Sequence, residues 1–202
     1  MPAESRPVDS VCVYCGSSDA ADPQFLTAAK TLGELIAADG LRLVYGGGGV
    51  GLMGACARAA RDAEGRVLGI IPDFLRGRER PVSDVETIVV QTMHERKMLM
   101  FDRSDAFIVL PGGIGTLEEI IELLSWRRLD LHEKPVVFYN PRGFWNPLFH
   151  LFDHIIGEKL MPEVFNESWR AVEDIADVLP AVYEMASCAE EKPEEAITTV
   201  VA

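Results

Sequence analysis

The stretch Asp105–Leu129, DAFIVLPGGIGTLEEIIELLSWRRL, decides the predicted fold. Its apolar run Ala106–Leu110 predicts a short buried strand, and the apolar residues from Leu117 to Leu124 recur at the spacing of an amphipathic helix. Units of the same kind, a strand followed by a helix, precede and follow this one. The sequence therefore predicts a single α/β domain, with a doubly wound, Rossmann-like, mostly parallel sheet that carries helices on both faces.

The loop between this strand and this helix contains three glycines, Gly112, Gly113 and Gly115. Glycines permit positive φ and let a ligand approach the backbone, and Thr116 follows them as the predicted helix N-cap. Free N–H groups and the positive end of the helix dipole favour a phosphate here, with the carboxylate of Glu119 close by. In the alternative interpretation, Thr116 and Glu119 form only a capping box, and Glu119 accepts from the Thr116 N–H.

A second glycine-rich loop, Gly46–Gly54, follows the predicted strand Leu41–Tyr45. Its part Gly49–Gly54 satisfies G-x-G-x-x-G, and Asp73 follows about 20 residues later, as a dinucleotide site requires. A second glycine loop near residue 112 would have no role in a one-cofactor Rossmann site. Two loops fit better a nucleoside monophosphate held from two strand ends, although tight helix–strand packing would also explain the glycines.

Polar residues in two other places are candidate ligand contacts. Ser17 and Ser18 follow the first predicted strand and could donate to a phosphate or a base, or only to the local backbone. Arg96 and Lys97 lie near the start of the predicted helix Met93–Arg103, where a cation opposes the helix dipole. Such cations need a bound phosphate or a carboxylate partner.

The segment Phe74–Glu86 has few apolar residues and three arginines, Arg76, Arg78 and Arg80. It is predicted to be a mobile loop. A basic segment in an acidic chain suggests a lid over an anionic ligand, and a solvated charge cluster is the alternative.

One pair of cysteines and one pair of histidines have spacings that could suit a metal site, but the sequence does not favour a metal at either pair. Cys12 and Cys15 lie in a predicted strand, where residues three apart face opposite sides, so both are predicted to be core residues. His150 and His154 are spaced i, i+4 without the glutamate of H-E-x-x-H, and are predicted on a solvated or dimer-facing helix surface. Neither a metal nor a cofactor is expected.

Length, charge and cysteine content limit the class of protein. With 202 residues, the chain is predicted to form a single domain, the catalytic domain 10–186. Residues 1–9 before it are predicted to be flexible, and residues 187–202 after it to be a disordered acidic tail. The formal net charge of −13 argues against a nucleic-acid polymer as partner. The sequence contains neither a membrane-spanning run nor an export signal, and the four cysteines suit a reducing cytoplasm.

The motif Pro111–Glu119 resembles the PGGxGTxxE signature of the LONELY GUY (LOG) family, phosphoribohydrolases that release cytokinin bases from riboside 5′-monophosphates. Tyr45–Gly48, Gly51–Gly54 and Met93–Lys97 resemble the other motifs of the family, in the same order. The resemblance implies cleavage of the bond between base and ribose, with Arg96 and Glu119 as the catalytic pair. It also implies a homodimer with its active site near the interface, for which the stretch Phe144–Phe152 offers apolar surface.

The glycine loops and the resemblance together give a set of predicted substrate contacts, in which Glu79 enters through a loop glutamate that contacts substrate in the family. The set is Ser17, Ser18, Gly46, Gly47, Gly48, Gly51, Met53, Glu79, Lys97, Gly112, Gly113, Gly115, Thr116, Glu118 and Ser125. From the residues alone, hydrolysis is not separated from phosphoribosyl transfer. A general AMP nucleosidase, an NAD-linked oxidoreductase and a non-catalytic nucleotide or cofactor carrier are the alternatives.

Overall fold

The computed structural model describes residues 8–190, and this part of the chain forms one seven-stranded sheet with helices around it. The strands are β1 (Ser10–Tyr14), β2 (Arg42–Tyr45), β3 (Arg66–Pro72), β4 (Glu86–Val90), β5 (Ala106–Val109), β6 (Val136–Tyr139) and β7 (Arg170–Val172). The α-helices are α1 (Pro23–Ala38), α2 (Gly51–Asp62), α3 (Arg76–Glu79), α4 (Met93–Asp102), α5 (Ile114–Arg128), α6 (Asn146–Gly157) and α7 (Val178–Glu190).

The strand order across the sheet is β4-β3-β2-β1-β5-β6-β7, and every neighbouring pair is parallel. The chain starts at β1 in the middle of the sheet and winds outward to β4. It then returns to β5, beside β1, and winds outward to β7. The predicted doubly wound fold is confirmed, and the direction of winding reverses between β1 and β5, where open α/β sheets bind their ligands.

Apolar side chains cover both faces of the sheet, as expected for parallel strands that are buried on two sides. One core cluster joins the sheet to α1, α2 and α7 and includes Cys15 and Leu32. The other joins it to α4, α5 and α6 and includes Cys12 and Phe107. Cys12 and Cys15 are buried free thiols on opposite faces, so their prediction as core residues is confirmed.

The described structure extends outside the range 10–186 at both ends. Val8 is buried in the core, and the Asp105 carboxylate accepts hydrogen bonds from the N–H groups of Asp9 and Ser10 at 3.0 and 2.9 Å. At the other end, α7 continues to Glu190, past the predicted boundary at residue 186. The rest of the predicted acidic tail and residues 1–7 lie outside the described residues.

The basic segment 74–86 is helical as far as Glu79 and irregular over residues 80–85, so its prediction as a loop is wrong for the first part and right for the second. A 3-10 turn over Asp73–Leu75 leads directly into α3, and Arg76 forms an exposed ion pair with Asp73 at 3.3 Å. Arginine and glutamate are good helix formers, which offsets the low apolar content of this segment. Helix α3 ends where Arg80 takes a left-handed conformation with φ 43°.

Candidate active site

A cavity of about 320 Å³ opens at the carboxyl ends of the central strands, at the point where the winding reverses. It receives residues from the loops after β1, β2, β3 and β5 and from α2, α4 and α5. Its walls are formed by Val13, Cys15, Gly16, Ser17, Ser18, Gly46, Met53, Glu79, Arg96, Met100, Gly113, Ile114, Gly115, Thr116 and Glu119. The predicted catalytic pair and eight of the predicted contacts thus share one cavity.

Helix α5 begins earlier than predicted, and this changes the role of two residues. Its N-cap is Gly113, and in the described part of the chain no side chain caps this terminus. Thr116 therefore lies inside the first turn and Glu119 in the second, so the predicted N-cap at Thr116 and the alternative capping box are both wrong. The first N–H groups of α5 stay available to an anion at the cavity wall.

The glycines before α5 are explained by space rather than by backbone conformation. The positive φ that glycine permits is not used here, because the glycines with positive φ among the described residues are elsewhere. A Cβ atom at Gly112 would overlap the Thr116 hydroxyl. At Gly113 and Gly115, a Cβ atom would meet no described atom within 4 Å. Packing inside the chain does not require glycine at these two positions, whereas a ligand close to the backbone would.

Arg96 and Glu119 form a buried ion pair at the centre of the cavity. The Nη1 of Arg96 lies 3.5 Å from Oε1 of Glu119, and the residues are 7% and 8% exposed. The buried Nε of Arg96 has no hydrogen-bond partner among the described residues. Gly46 makes room for this cation, since a Cβ atom there would overlap its Nη2. A buried guanidinium with an unused donor is suited to an anionic or hydroxylated ligand.

Burial changes the acidity of Glu119. Removal from water raises the pKa of its carboxyl group to about 7, and the nearby Arg96 guanidinium opposes this rise. The group therefore exists in both protonation states near neutral pH. Such a carboxyl can take or give a proton at the operating pH, as a general base or acid must.

The start of α2 is occupied by other parts of the protein, which excludes the dinucleotide site predicted as a rival. The Asp19 carboxylate accepts from the Gly51 N–H at 2.7 Å, and the Gly16 carbonyl accepts from the Leu52 N–H at 3.0 Å. The N–H groups that would bind a pyrophosphate are thus already used. Asp73, the predicted ribose ligand, is exposed and paired with Arg76.

The glycine loop after β2 makes room for side chains of the site instead of holding a phosphate. A Cβ atom at Gly48 would come within 2.6 Å of the Glu79 carboxylate, and one at Gly51 within 2.5 Å of the Ser17 backbone. Gly47 adopts φ 78° and packs against β3. Of the predicted contacts in Gly46–Gly54, Gly46 and Met53 line the cavity, whereas Gly47, Gly48 and Gly51 do not.

Three predicted contacts point away from the cavity. Lys97 forms ion pairs with Glu118 and with Glu122, the second at 2.9 Å. The Ser125 hydroxyl donates to the Ile121 carbonyl within α5 at 2.7 Å. These two contacts satisfy Lys97 and Ser125 on the outer surface of α4 and α5, so neither they nor Glu118 reach the cavity in a single chain.

Some cavity residues were not predicted from the sequence. Val13 lies in β1, Cys15 directly follows that strand, and Met100 is a buried residue of α4. Their apolar character predicts core positions, and nothing local distinguishes a core residue that also faces a ligand. Gly16 and Ile114 were within reach of prediction, because each adjoins a predicted contact.

The remaining sequence candidates lie apart from this cavity. His150 and His154 are exposed on α6, as predicted. No group of three or more metal-ligating side chains occurs within residues 8–190. In the same range, none of the helices has the length and apolar character needed to cross a membrane.

The fold and the cavity define a Rossmann-type α/β protein with an uncapped helix terminus and a buried arginine–glutamate pair at its ligand site. A family model described as "Possible lysine decarboxylase" matches residues 53–182. The cytokinin riboside 5′-monophosphate phosphoribohydrolase of Rhodococcoides fascians is 39% identical over 185 residues, which cover 90% of this chain and 93% of that protein. The chain belongs to the LOG family.

Other similarities agree with this placement. The cytokinin riboside 5′-monophosphate phosphoribohydrolase LOG of Oryza sativa subsp. japonica is 43% identical over 156 residues, 76% of this chain and 64% of that protein. The chain thus spans about two thirds of the length of its rice relatives. A molybdenum cofactor binding protein from Rippkaea orientalis has the same fold, with a TM-score of 0.65 and 26% identity over 87% of this chain and 96% of that one.

Proposed function

We propose that this protein hydrolyses the N-glycosidic bond of adenosine 5′-monophosphates, including N6-modified ones, and releases the free base and ribose 5-phosphate. The observation that carries the proposal is the buried Arg96–Glu119 pair, which faces a cavity bounded by the uncapped start of α5. The names of the LOG relatives support the same reaction. Buried free thiols at Cys12, Cys15 and Cys56 fit a cytoplasmic location.

The order of strands suggests how the substrate lies in the cavity. The α5 terminus, which would hold the phosphate, follows β5, whereas Gly46 follows β2 and the Glu79 segment follows β3. From β5 through β1 and β2 to β3 there are three strand spacings of about 4.8 Å each. A nucleotide laid along this row places its phosphate at α5, its ribose beside Arg96 and Glu119, and its base toward Met53 and Glu79.

The central pair is suited to cleavage at the anomeric carbon. Loss of the base creates positive charge on the ribose, and the ionised Glu119 carboxylate stabilises that charge at short range. Because burial raises the pKa of Glu119 to about 7, the carboxylate can then accept a proton from the attacking water. Arg96 holds this carboxylate in place and supplies donors for the phosphate or the ribose hydroxyls.

The first prediction concerns the 5′-phosphate. AMP and isopentenyl-AMP should be cleaved with a kcat/KM at least about 100-fold higher than adenosine and isopentenyl-adenosine, because the α5 terminus is bound only by the phosphate. Chromatographic quantification of the released base measures both rates. Equal rates on the nucleotide and the nucleoside would refute the phosphate site at α5.

A carrier without turnover is the second candidate function, and the likeness to the Rippkaea protein favours it. A carrier needs the cavity but has no use for a carboxyl group whose pKa lies near 7. Decarboxylation, which the family model names, would need a lysine at the site for a pyridoxal cofactor. No lysine is among the described residues that line the cavity.

We further propose that the protein is a homodimer in which the surface of α4 and α5 meets its copy. Ile114 lines the cavity and yet is 83% exposed, and Ile121 on the same helix is 40% exposed. Exposed apolar residues beside a site are typical of an interface. The stretch Phe144–Phe152 predicted for this role supports it less, because Trp145 and Phe152 are buried in the core.

Sedimentation analysis of the purified protein should give a mass near twice the 22.2 kDa of one chain at micromolar concentration. Ile121→Glu places a charge in the proposed interface and should shift the mass toward that of the monomer. Leu160→Glu is the matched control, since Leu160 is also exposed but follows α6. A monomeric wild type, or dissociation by the Leu160 variant alone, would refute this interface.

A further inference from the structure

The carboxyl group of Glu79 is held inside the cavity without a hydrogen-bond partner for one of its oxygens. Its Oε2 is fully enclosed, and no described group donates to it or accepts from it. Its backbone is joined to the glycine loop after β2, because the Glu79 carbonyl accepts from the Gly49 N–H at 2.6 Å, and Glu79 is the last residue of α3. The absence of a side chain at Gly48 gives the carboxyl group its place. Gly48 and the hydrogen bond from Gly49 thus place the Glu79 carboxyl group in the cavity.

An enclosed oxygen of this kind is costly for an ionised carboxylate and less costly for a protonated one. Burial raises the pKa of Glu79, and the Arg96 guanidinium opposes this rise. Glu79 in turn helps to raise the pKa of Glu119, on which Glu118 and Lys97 also act, with opposite signs. Because the negative charges of Glu79 and Glu119 oppose each other, ionisation of both carboxyl groups at once is disfavoured.

Glu79 and Glu119 lie beside different parts of the proposed substrate. Glu119 belongs to α5, on the same side as the phosphate, whereas Glu79 follows β3, beyond the ribose. Met53, whose side chain lies beside Gly48 together with the Glu79 carboxylate, offers a polarisable apolar surface for the face of a base. The Glu79 carboxyl therefore faces the part of the cavity that the leaving group would occupy.

We propose that Glu79 is the proton donor to the leaving base. This inference rests on the proposed function. When the bond between C1′ and N9 breaks, its electron pair goes to the purine, and the proton of the Glu79 carboxyl neutralises the departing base. Water then forms the bond to C1′ and gives its proton to Glu119. Solvent restores the Glu79 proton and removes the one on Glu119, so the reaction is balanced and uses water as its only co-substrate.

The test compares two leaving groups in Glu79→Gln. Adenine needs a proton to leave, whereas nicotinamide leaves its positively charged ribotide as a neutral base. The variant should lose about 100-fold or more in kcat on AMP and should keep most of its activity on nicotinamide mononucleotide. Glu119→Gln should lose activity on both. Asp73→Asn, a carboxylate of the same segment that is exposed and outside the cavity, should change neither rate.

Each outcome decides the matter. An equal loss on both substrates would assign Glu79 to binding or folding and overturn the proposal, and so would an unchanged rate on AMP. If the wild type does not cleave nicotinamide mononucleotide, formate is added to Glu79→Ala with AMP. Restored activity supports a proton donor, and no restoration contradicts it. Failure of the wild type to cleave AMP or isopentenyl-AMP would instead refute the proposed function itself.

Discussion

Glu119→Gln is expected to lower kcat on the 5′-monophosphate by about 100-fold or more. Glutamine keeps the size of the side chain, but it neither stabilises a positive ribose nor accepts a proton from water. Steady-state release of the base from AMP or isopentenyl-AMP measures the effect.

The matched control is Glu118→Gln, one position earlier on α5. Glu118 pairs with Lys97 on the outer surface and does not line the cavity, so this variant should keep near-normal activity. Near-normal activity in Glu119→Gln would contradict the proposed mechanism.

The pH dependence of the free energy of unfolding gives an independent test of the raised pKa of Glu119. Burial raises its pKa from 4.5 to about 7, so the folded protein binds this proton more tightly than the unfolded chain. The contribution of the protonated Glu119 to the free energy of unfolding is therefore fully present below pH 4.5 and is lost as the pH rises through 7. At about 1.4 kcal/mol per pKa unit, the loss amounts to roughly 3 kcal/mol. Urea unfolding between pH 5 and pH 8 should show about this loss in the wild type and not in Glu119→Gln.

Arg96→Ala is expected to lower kcat/KM by about 100-fold or more, because it removes both the partner of Glu119 and the buried donor to the substrate. Arg96 also lowers the pKa of Glu119. Without this cation, ionisation of Glu119 requires a higher pH, and the acidic limb of the pH–rate profile should move to higher pH. The residual activity is measured between pH 5 and pH 9.

Arg78→Ala is the control for charge alone, since Arg78 is an exposed arginine of α3 outside the cavity. It should leave both the rate and the pH profile near those of the wild type. An Arg96→Ala enzyme with an unchanged acidic limb would show that the two side chains do not act as a pair.

The fold was predictable because its signals are local and repeated. Short apolar runs gave the strands, and the segment from Ala106 to Val109 differs from its prediction by one residue. The start of α5 was mispredicted because glycine and threonine are both acceptable N-caps. In the structure the Thr116 side chain packs against Gly112, a contact within the folded loop that the sequence pattern does not show.

The site was predictable only in part, because the packing of the helices in the folded protein sets the direction in which each side chain points. Arg96 and Lys97 are neighbours in the sequence, yet successive residues of a helix point about 100° apart. One side chain therefore enters the cavity and the other pairs with carboxylates on the surface of α5. The enclosed oxygen of Glu79 depends on Gly48, which lies in the loop after β2, and no local sequence pattern could predict this contact.

The most direct test is the product analysis of the wild-type protein with AMP or isopentenyl-AMP in buffer that contains neither pyrophosphate nor another acceptor. Base and ribose 5-phosphate are quantified together over the same time course. Hydrolysis at the Arg96–Glu119 pair predicts that both appear at equal rates and in equal amounts. Base that forms only when pyrophosphate is added, together with phosphoribosyl pyrophosphate, or no base under either condition, would contradict it.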